Sequence, residues 1–308
     1  MPEPVISIEG LCKSYGEIEA VRGLDLEVGE EEVFAVLGPN GAGKTTTLEI
    51  LEGYLDRDAG RVQVLGVDPA RPTTAWRERV GIVLQETALE TLLSVRESLE
   101  VYAGYYTSPR PVEEVIELVG LGEQAGTRAG KLSGGQKRRL DVGIALIGDP
   151  DLLFLDEPTT GFDPSARRQA WQMIAGLRDL GKTVLLTTHY MDEAQSLADR
   201  VAVINRGQVV AVDTPERLGD RENLPTRISF RLAPGLSRPD DSVIEGLSGR
   251  GKAEDTLDGG IEVAFDSQEP TADLHRLAAW AVGNGIELEG LEVRRPTLED
   301  VYLELTSQ

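Results

Sequence analysis

The sequence predicts an α/β fold: a mostly parallel, doubly wound sheet, joined near residue 220 to a smaller α+β unit. Three observations predict it. Short apolar runs, "VFAVLG" (33–38), "DLLFLD" (151–156) and "TVLLTTH" (183–189), end in glycine or polar residues, as strands buried on both faces do. Helical stretches at 44–55, 165–180 and 191–198 alternate with those runs, which is the order of βαβ units. Beyond 220 the order becomes strand, helix, strand, strand, helix, strand, the ferredoxin-like pattern.

Taken in order, residues 5–8 and 24–28 alternate like strands of an N-terminal sheet. The run 33–38 is a buried strand, and "KTTTLEILEGYL" (44–55) a helix. "VGIVLQ" (80–85) is a further strand-like run. The stretch 86–150 is mainly helical and is expected as a subdomain inserted between sheet strands. "RVAVINRGQVVAVDT" (200–214) reads as a hairpin turning at Arg206–Gly207. The expected domains are therefore 1–219 and 220–308. In the second, "TRISFRLA" is a strand, "PDDSVIEGL" a short helix, and "KAEDTLDGGIEVAF" two strands joined at Asp258-Gly259-Gly260. "TADLHRLAAWAVGNG" is a helix and "IELEGLEVRR" a strand. A last helix, "TLEDVYLELT", starts where Thr297 pairs with Asp300 as a cap. Its Leu298, Val301, Tyr302 and Leu305 share one face.

The 308 residues are 40% apolar, enough for a substantial core. A single cysteine, Cys12, allows no intrachain disulfide and suits a reducing compartment. The start, "MPEPVISIEG", has neither a basic flank nor an apolar core, so no signal peptide is expected. No apolar run approaches the roughly 18 residues of a membrane span, so any membrane role is expected through a partner. The net charge of −22 argues against nucleic acid and anionic lipid as partners.

Gly38, Pro39, Asn40, Gly41, Ala42, Gly43, Lys44, Thr45 and Thr46 fit the phosphate-loop pattern between a strand and a helix. The glycines let backbone N–H groups approach phosphates, Lys44 reaches the β and γ groups, and the Thr45 hydroxyl binds Mg²⁺. A chance glycine turn would not carry that strand-to-helix context. Asp156 ends a buried strand, as a second Mg²⁺ anchor does, and Glu157 beside it is placed to polarise a water for in-line attack. A solvated acidic strand end is the plain alternative. His189, one of two histidines, follows another parallel strand; it is a candidate to meet the γ-phosphate and orient Glu157, although a lone histidine is more often structural. His275 reads as a helix-face residue. Gln85 is either a Mg²⁺ or water contact or a polar strand end. Tyr15 either stacks on adenine or packs at a turn. A second glycine turn, "KLSGGQKRR" (131–139), opens a helix and offers another anion site.

Together these motifs resemble the ATP-binding subunits of ABC transporters over roughly residues 5–220. "LSGGQ" at 132–136 looks like the family signature. The resemblance implies a P-loop NTPase core with an N-terminal antiparallel β-subdomain and an inserted helical subdomain. It implies that Tyr15 stacks on adenine, that 38–46 cradles phosphate and that Gln85 marks a mobile loop. It makes Asp156 a Mg²⁺ ligand, Glu157 the base and His189 the switch histidine, with Asp163 in the loop that follows. Phe162 stands where the family more often has leucine. One chain with one phosphate loop and one signature implies a head-to-tail homodimer, in which Ser133, Gly134, Gly135 and Gln136 read the neighbour's ATP.

A narrower resemblance, in "QKRRLDVGIALIGDPDLLFLDEPTTGFDP", "THYMDEAQSLADRVAVINRG" and "RRPTLEDVYLELT", is to drug-resistance-type exporters. It implies a separate membrane permease of the ABC-2 class, a place on the cytoplasmic face of the membrane, and an accessory role for 220–308. Permease contact is then expected near Gln85 and the segment after it. Rival readings are a soluble ABC ATPase acting on ribosomes or DNA, a nucleotide-gated interaction module, and an importer subunit.

Overall fold

The computed structural model describes residues 3–86, 88–219, 224–234, 236, 251–255 and 260–306. The helix expected within "PDDSVIEGL" and the turn at Asp258–Gly259 lie outside these residues. The chain divides into two compact units, Met1–Leu218 and Gly219–Ser307.

In the first unit, β1 (Ile6–Tyr15) and β2 (Ile18–Val28) form an antiparallel hairpin in which Tyr15 faces Ile18. Both are longer than the sequence pattern suggests. Register shifts between Ile8 and Leu11 and between Lys13 and Ser14 break the alternation, because a bulge moves later side chains to the other face. The chain then runs through β3 (Val33–Leu37), α1 (Lys44–Leu51) and β4 (Ala59–Val64). Strand β4 pairs with β1 and completes a three-stranded sheet in the order β2-β1-β4. Helix α1 stops earlier than expected because the chain turns at Gly53, where φ is +77° and a Cβ would meet the Pro69 carbonyl at 2.5 Å.

After α2 (Thr74–Glu78) and β5 (Val80–Val83) come α3 (Val95–Ala103), α4 (Val112–Leu118) and α5 (Gly134–Leu146). These three helices fill the connection to β6 (Leu152–Asp156). Then follow α6 (Pro164–Asp179), β7 (Thr183–Thr188), α7 (Met191–Leu197), β8 (Arg200–Asn205) and β9 (Gln208–Asp213). The main sheet has the order β5-β6-β7-β3-β8-β9, parallel except for the β8–β9 hairpin. Every residue of β3, β6 and β7 is buried. One apolar cluster joins Ile6 and Leu24 of the antiparallel sheet, Leu48 and Leu51 of α1, and Phe34 and Phe154 of the parallel sheet. Each such side chain contributes about 1.5–3 kcal/mol on burial. The helix after the phosphate loop is therefore anchored to both sheets.

In the second unit, β10 (Thr226–Leu232), β11 (Gly251–Asp255), β12 (Ile261–Ser267) and β13 (Glu289–Arg294) form an antiparallel sheet in the order β11-β12-β10-β13. That is the ferredoxin-like strand order. Helix α8 (Pro270–Asn284) contributes Leu277 to a core with Ile228, Phe230 and Phe265, and His275 is exposed. Helix α9 (Leu298–Thr306) starts at a reciprocal cap. The Asp300 carboxylate accepts from the Thr297 N–H at 2.7 Å, and the Thr297 hydroxyl accepts from the Asp300 N–H at 3.2 Å. Leu298, Val301 and Tyr302 are buried on its inner face. Among the described residues no helix is long and apolar enough to cross a membrane.

Candidate functional site

A cleft of about 1000 Å³ opens over the phosphate loop in the first unit. Strand β3 feeds the loop and α1 leaves it, with Gly43 as N-cap at φ +101°. A glycine cap has no side chain for the first-turn N–H groups, so those of Lys44, Thr45 and Thr46 are free to meet an anion. A Cβ on Gly43 would lie 2.4 Å from the Ala20 carbonyl, and one on Gly38 would lie 2.5 Å from that of Ile204. Gly41 turns at φ +81° and lines the cleft with Asn40. Ala42 is buried in the core below. The Lys44 ammonium is 5% exposed and donates to the carbonyls of Gly38 at 2.9 Å and Pro39 at 3.3 Å. It also lies 3.5 Å from Glu157 Oε1. Backbone donors and an inward cation around a small concavity fit a phosphate chain.

Strand β7 lies between β3 and β6, so Asp156 ends not the strand beside the phosphate-loop strand but the one beyond it. The intervening strand is the one that leads to His189. Thr187 on β7 ties the two acidic residues in place. Its hydroxyl donates to Asp156 Oδ1 and accepts from the Glu157 N–H at 3.0 Å. Burial pushes the Asp156 carboxyl above the usual range, and the Glu157 charge adds to that; the Thr187 bond, Lys44 and Arg138 only partly offset it.

Glu157 has φ +44°, a left-handed conformation rare outside glycine. Its Oε2 accepts from the Thr160 hydroxyl at 3.0 Å and lies 3.2 Å from His189 Nδ1, close but not aligned as a hydrogen bond. Burial pushes this carboxyl up, but Thr160, His189 and Lys44 together outweigh it and hold it below the ordinary carboxylate range. Gln85 sits two residues past β5 and lines the same cleft, as do Thr45 and Thr46. Tyr15 is 48% exposed at the end of β1, with the Lys13 ammonium 5.7 Å from its ring centre.

The signature residues lie elsewhere. Ser133, Gly134, Gly135, Gln136 and Asp163 line a second cleft of about 390 Å³, with Phe162. Ser133 caps α5 reciprocally: its hydroxyl accepts from the Gln136 N–H at 3.3 Å, and Gln136 Oε1 accepts from the Ser133 N–H at 2.9 Å. Asp163 caps α6, accepting from Ser165 at 2.8 Å and Ala166 at 2.9 Å. None of these five side chains lines the first cleft.

Several residues in the site escape a reading of motifs. Arg22 and Arg206 line the first cleft, and Arg22 Nε donates to the Arg206 carbonyl at 2.7 Å. The Arg206 turn is legible, but its place follows from β8 lying beside β3. Thr160 and Thr187 carry no motif beyond a polar side chain next to one. Arg138 sits in a basic run that suggests solvent, yet it is 5% exposed. Burial pulls its guanidinium pKa down, against the attraction of Asp141, Asp156 and Glu193.

No cluster of three or more His, Cys, Asp and Glu side chains forms a metal site among the described residues. The oxygens of Thr45, Asp156 and Gln85 are instead hard donors of the kind Mg²⁺ takes alongside phosphate.

Residues 21–160 match the ABC transporter family, and 226–297 match the family described as ABC transporter domain-containing protein-like, C-terminal domain. The chain is 38% identical to daunorubicin resistance ATP-binding protein DrrA3 of Streptomyces coeruleorubidus, over 99% of this chain and 97% of that protein. It is 43% identical to Nod factor export ATP-binding protein I of Rhizobium sp. (strain N33), over 100% and 99%. A dimeric post-hydrolysis ATP-binding cassette bound to ADP and Pi superposes with a TM-score of 0.61, at 25% identity, covering 68% of this chain and 98% of that one.

Proposed function

The chain belongs to the ABC transporter ATP-binding family, and from that premise we propose that it hydrolyses ATP to drive an exporter whose membrane permease is a separate ABC-2-type subunit. The observation that carries this reading is the meeting of Lys44, Glu157 and His189 at the mouth of the phosphate loop, with Glu157 3.5 Å from one and 3.2 Å from the other. The names of full-length relatives, which concern drug resistance and Nod factor export, favour a drug-like, lipid-like or other hydrophobic cargo.

In this reading the loop N–H groups and Lys44 hold the phosphates, and Tyr15 stacks on adenine. Thr45, Asp156 and Gln85 hold Mg²⁺, which would neutralise phosphate charge when bound. Glu157, ionised at neutral pH, accepts the proton of the attacking water. His189 steadies Glu157 and meets the γ-phosphate. Two chains pack head to tail, so that Ser133–Gln136 and Asp163 of one complete the ATP site of the other. ATP binding favours closure and product release favours opening. That movement reaches a permease through Gln85, next to the exposed Leu84, and the segment after it, where Leu92 is exposed. The protein then works at the cytoplasmic face of the membrane, held there by the permease.

Glu157→Gln tests the reading. Phosphate release should fall by about a hundredfold or more, while gel filtration with ATP and Mg²⁺ shows a persistent dimer. Co-expression of wild-type chain with a six-span permease should raise the basal rate. Unchanged turnover in the variant would remove Glu157 as the base.

A further inference from the structure

Arg138 is a cation on the second turn of α5, five residues past the cap Ser133. Its guanidinium makes three hydrogen bonds, all to main-chain carbonyls of other segments. It donates to Leu84, to Asp156 at 2.6 Å and to Pro158 at 3.2 Å. Leu84 precedes Gln85, and Asp156 and Pro158 flank Glu157. One side chain thus grips the backbone next to two residues of the first cleft, Gln85 and Glu157, from a helix whose start lines the second.

That placement is costly. Among the described residues this buried guanidinium has no carboxylate in direct contact, Asp141, Asp156 and Glu193 only attracting it from farther off, and burying such a charge is unfavourable unless its donors are satisfied. An apolar side chain would fill the space without that cost. The geometry uses what only arginine offers, several donors in a rigid planar fork. Glu157 also needs a grip, since a left-handed backbone persists only where its surroundings over-determine it. Arg138 holds the carbonyls on both sides of it, and Thr187 holds its N–H.

We infer that Arg138 is a positioning residue: from the signature helix it holds Glu157 and Gln85 of its own chain in working geometry, so the helix that meets the neighbour's nucleotide also sets this chain's base. The inference rests on Glu157 being the base and on the head-to-tail dimer proposed above.

The test uses full-length Arg138→Gln and the milder Arg138→Lys, each first shown to melt cooperatively. A fluorescent ATP analogue should bind within about twofold of wild type, and kcat of Arg138→Gln should fall about tenfold or more, since small misplacements of reacting groups are that costly. Arg138→Lys, which keeps the charge and one donor direction, should recover part of kcat. If Arg138→Gln does not fold, Arg138→Lys takes its place below.

Mixed dimers with two affinity tags then locate the effect. Pairing an Arg138→Gln chain with a Glu157→Gln chain leaves the intact base in the chain without Arg138, and that dimer should be nearly inactive. Placing both substitutions in one chain opposite wild type leaves the intact base beside an intact Arg138. That dimer should match a reference of Glu157→Gln paired with wild type. Equal activity in the two arrangements, or a loss of kcat that tracks lost analogue binding, would overturn the inference. Failure of Glu157→Gln chains to dimerise with ATP would instead overturn the head-to-tail reading.

Discussion

At Glu157 burial and three polar neighbours act in opposite directions on one carboxyl, and the neighbours win. The ionised form is favoured by the fold, so its stabilisation is present above the ordinary value of 4.5 and is lost as pH falls through the lower folded value. The carboxylate proposed as the base is then ionised at neutral pH. Thr160→Val removes the hydroxyl that donates to Oε2, and the acid limb of kcat/KM should move to higher pH; an unmoved limb would show that Thr160 does not tune the base. Glu52, just past α1, is the opposite case. Burial first, then the charges of Asp156 and Glu49, push its carboxyl up to about 8, and its Oε1 is buried with no hydrogen-bond partner among the described residues. The folded chain keeps that proton between about 4.5 and 8 while the unfolded chain loses it, so stability should decline across that window, by at most about 1.4 kcal/mol per pH unit. Glu52→Gln should flatten the slope in urea unfolding at pH 5.5 and 8.5. Parallel slopes for the two proteins would count against the assignment.

At the level of elements, the first two turns of α5 carry different duties. Its start is a cap, and replacing Ser133 with alanine should cost about 1 kcal/mol of stability through the lost bond alone. Ser133→Arg should do more to function than to fold. It fills the second cleft with bulk and charge while Lys44 and Tyr15 stay untouched in the first. Equilibrium dialysis should show ATP bound nearly as in wild type, and a phosphate-release assay should show turnover gone. Loss of binding would mean that the signature serves its own chain's cleft. The motifs on this helix and on the phosphate loop were legible because each is a run of neighbours in sequence with a fixed local geometry. Strand β4 and the full lengths of β1 and β2 were not, because bulges and a short polar start at Ala59 hide the period-two alternation. Arg138 was hidden for a different reason. A basic residue between two others looks solvated until the chain's path brings the carbonyls of residues 84, 156 and 158 to it.

Over the whole molecule, the order of strands in the main sheet was the least legible feature, since parallel pairing depends on distant segments. Residues 33–37 and 152–156 read alike as buried strands, but nothing in either run says that β7 lies between them. That order brings Arg206, just past β8, to the cleft, where Arg22 of the other sheet meets it through its N–H bond to the Gly207 carbonyl; no motif announced either arginine. These two arginines and Lys44 share the cleft with Glu17, Glu19 and Glu157, so its lining is formally balanced on a chain with net charge −22. An anionic nucleotide approaching from afar meets the net charge, and only close in does it feel the individual cations and the loop N–H groups. At about 0.01 M salt the screening length is about 30 Å, so the repulsion reaches well beyond the cleft; near 0.15 M it is about 8 Å. Stopped-flow association of a fluorescent ATP should therefore quicken as salt rises through this range, the reverse of the usual trend for an anion entering a basic site. Arg206→Gln should slow capture at every ionic strength, leaving the chain to collect its fuel against its own field.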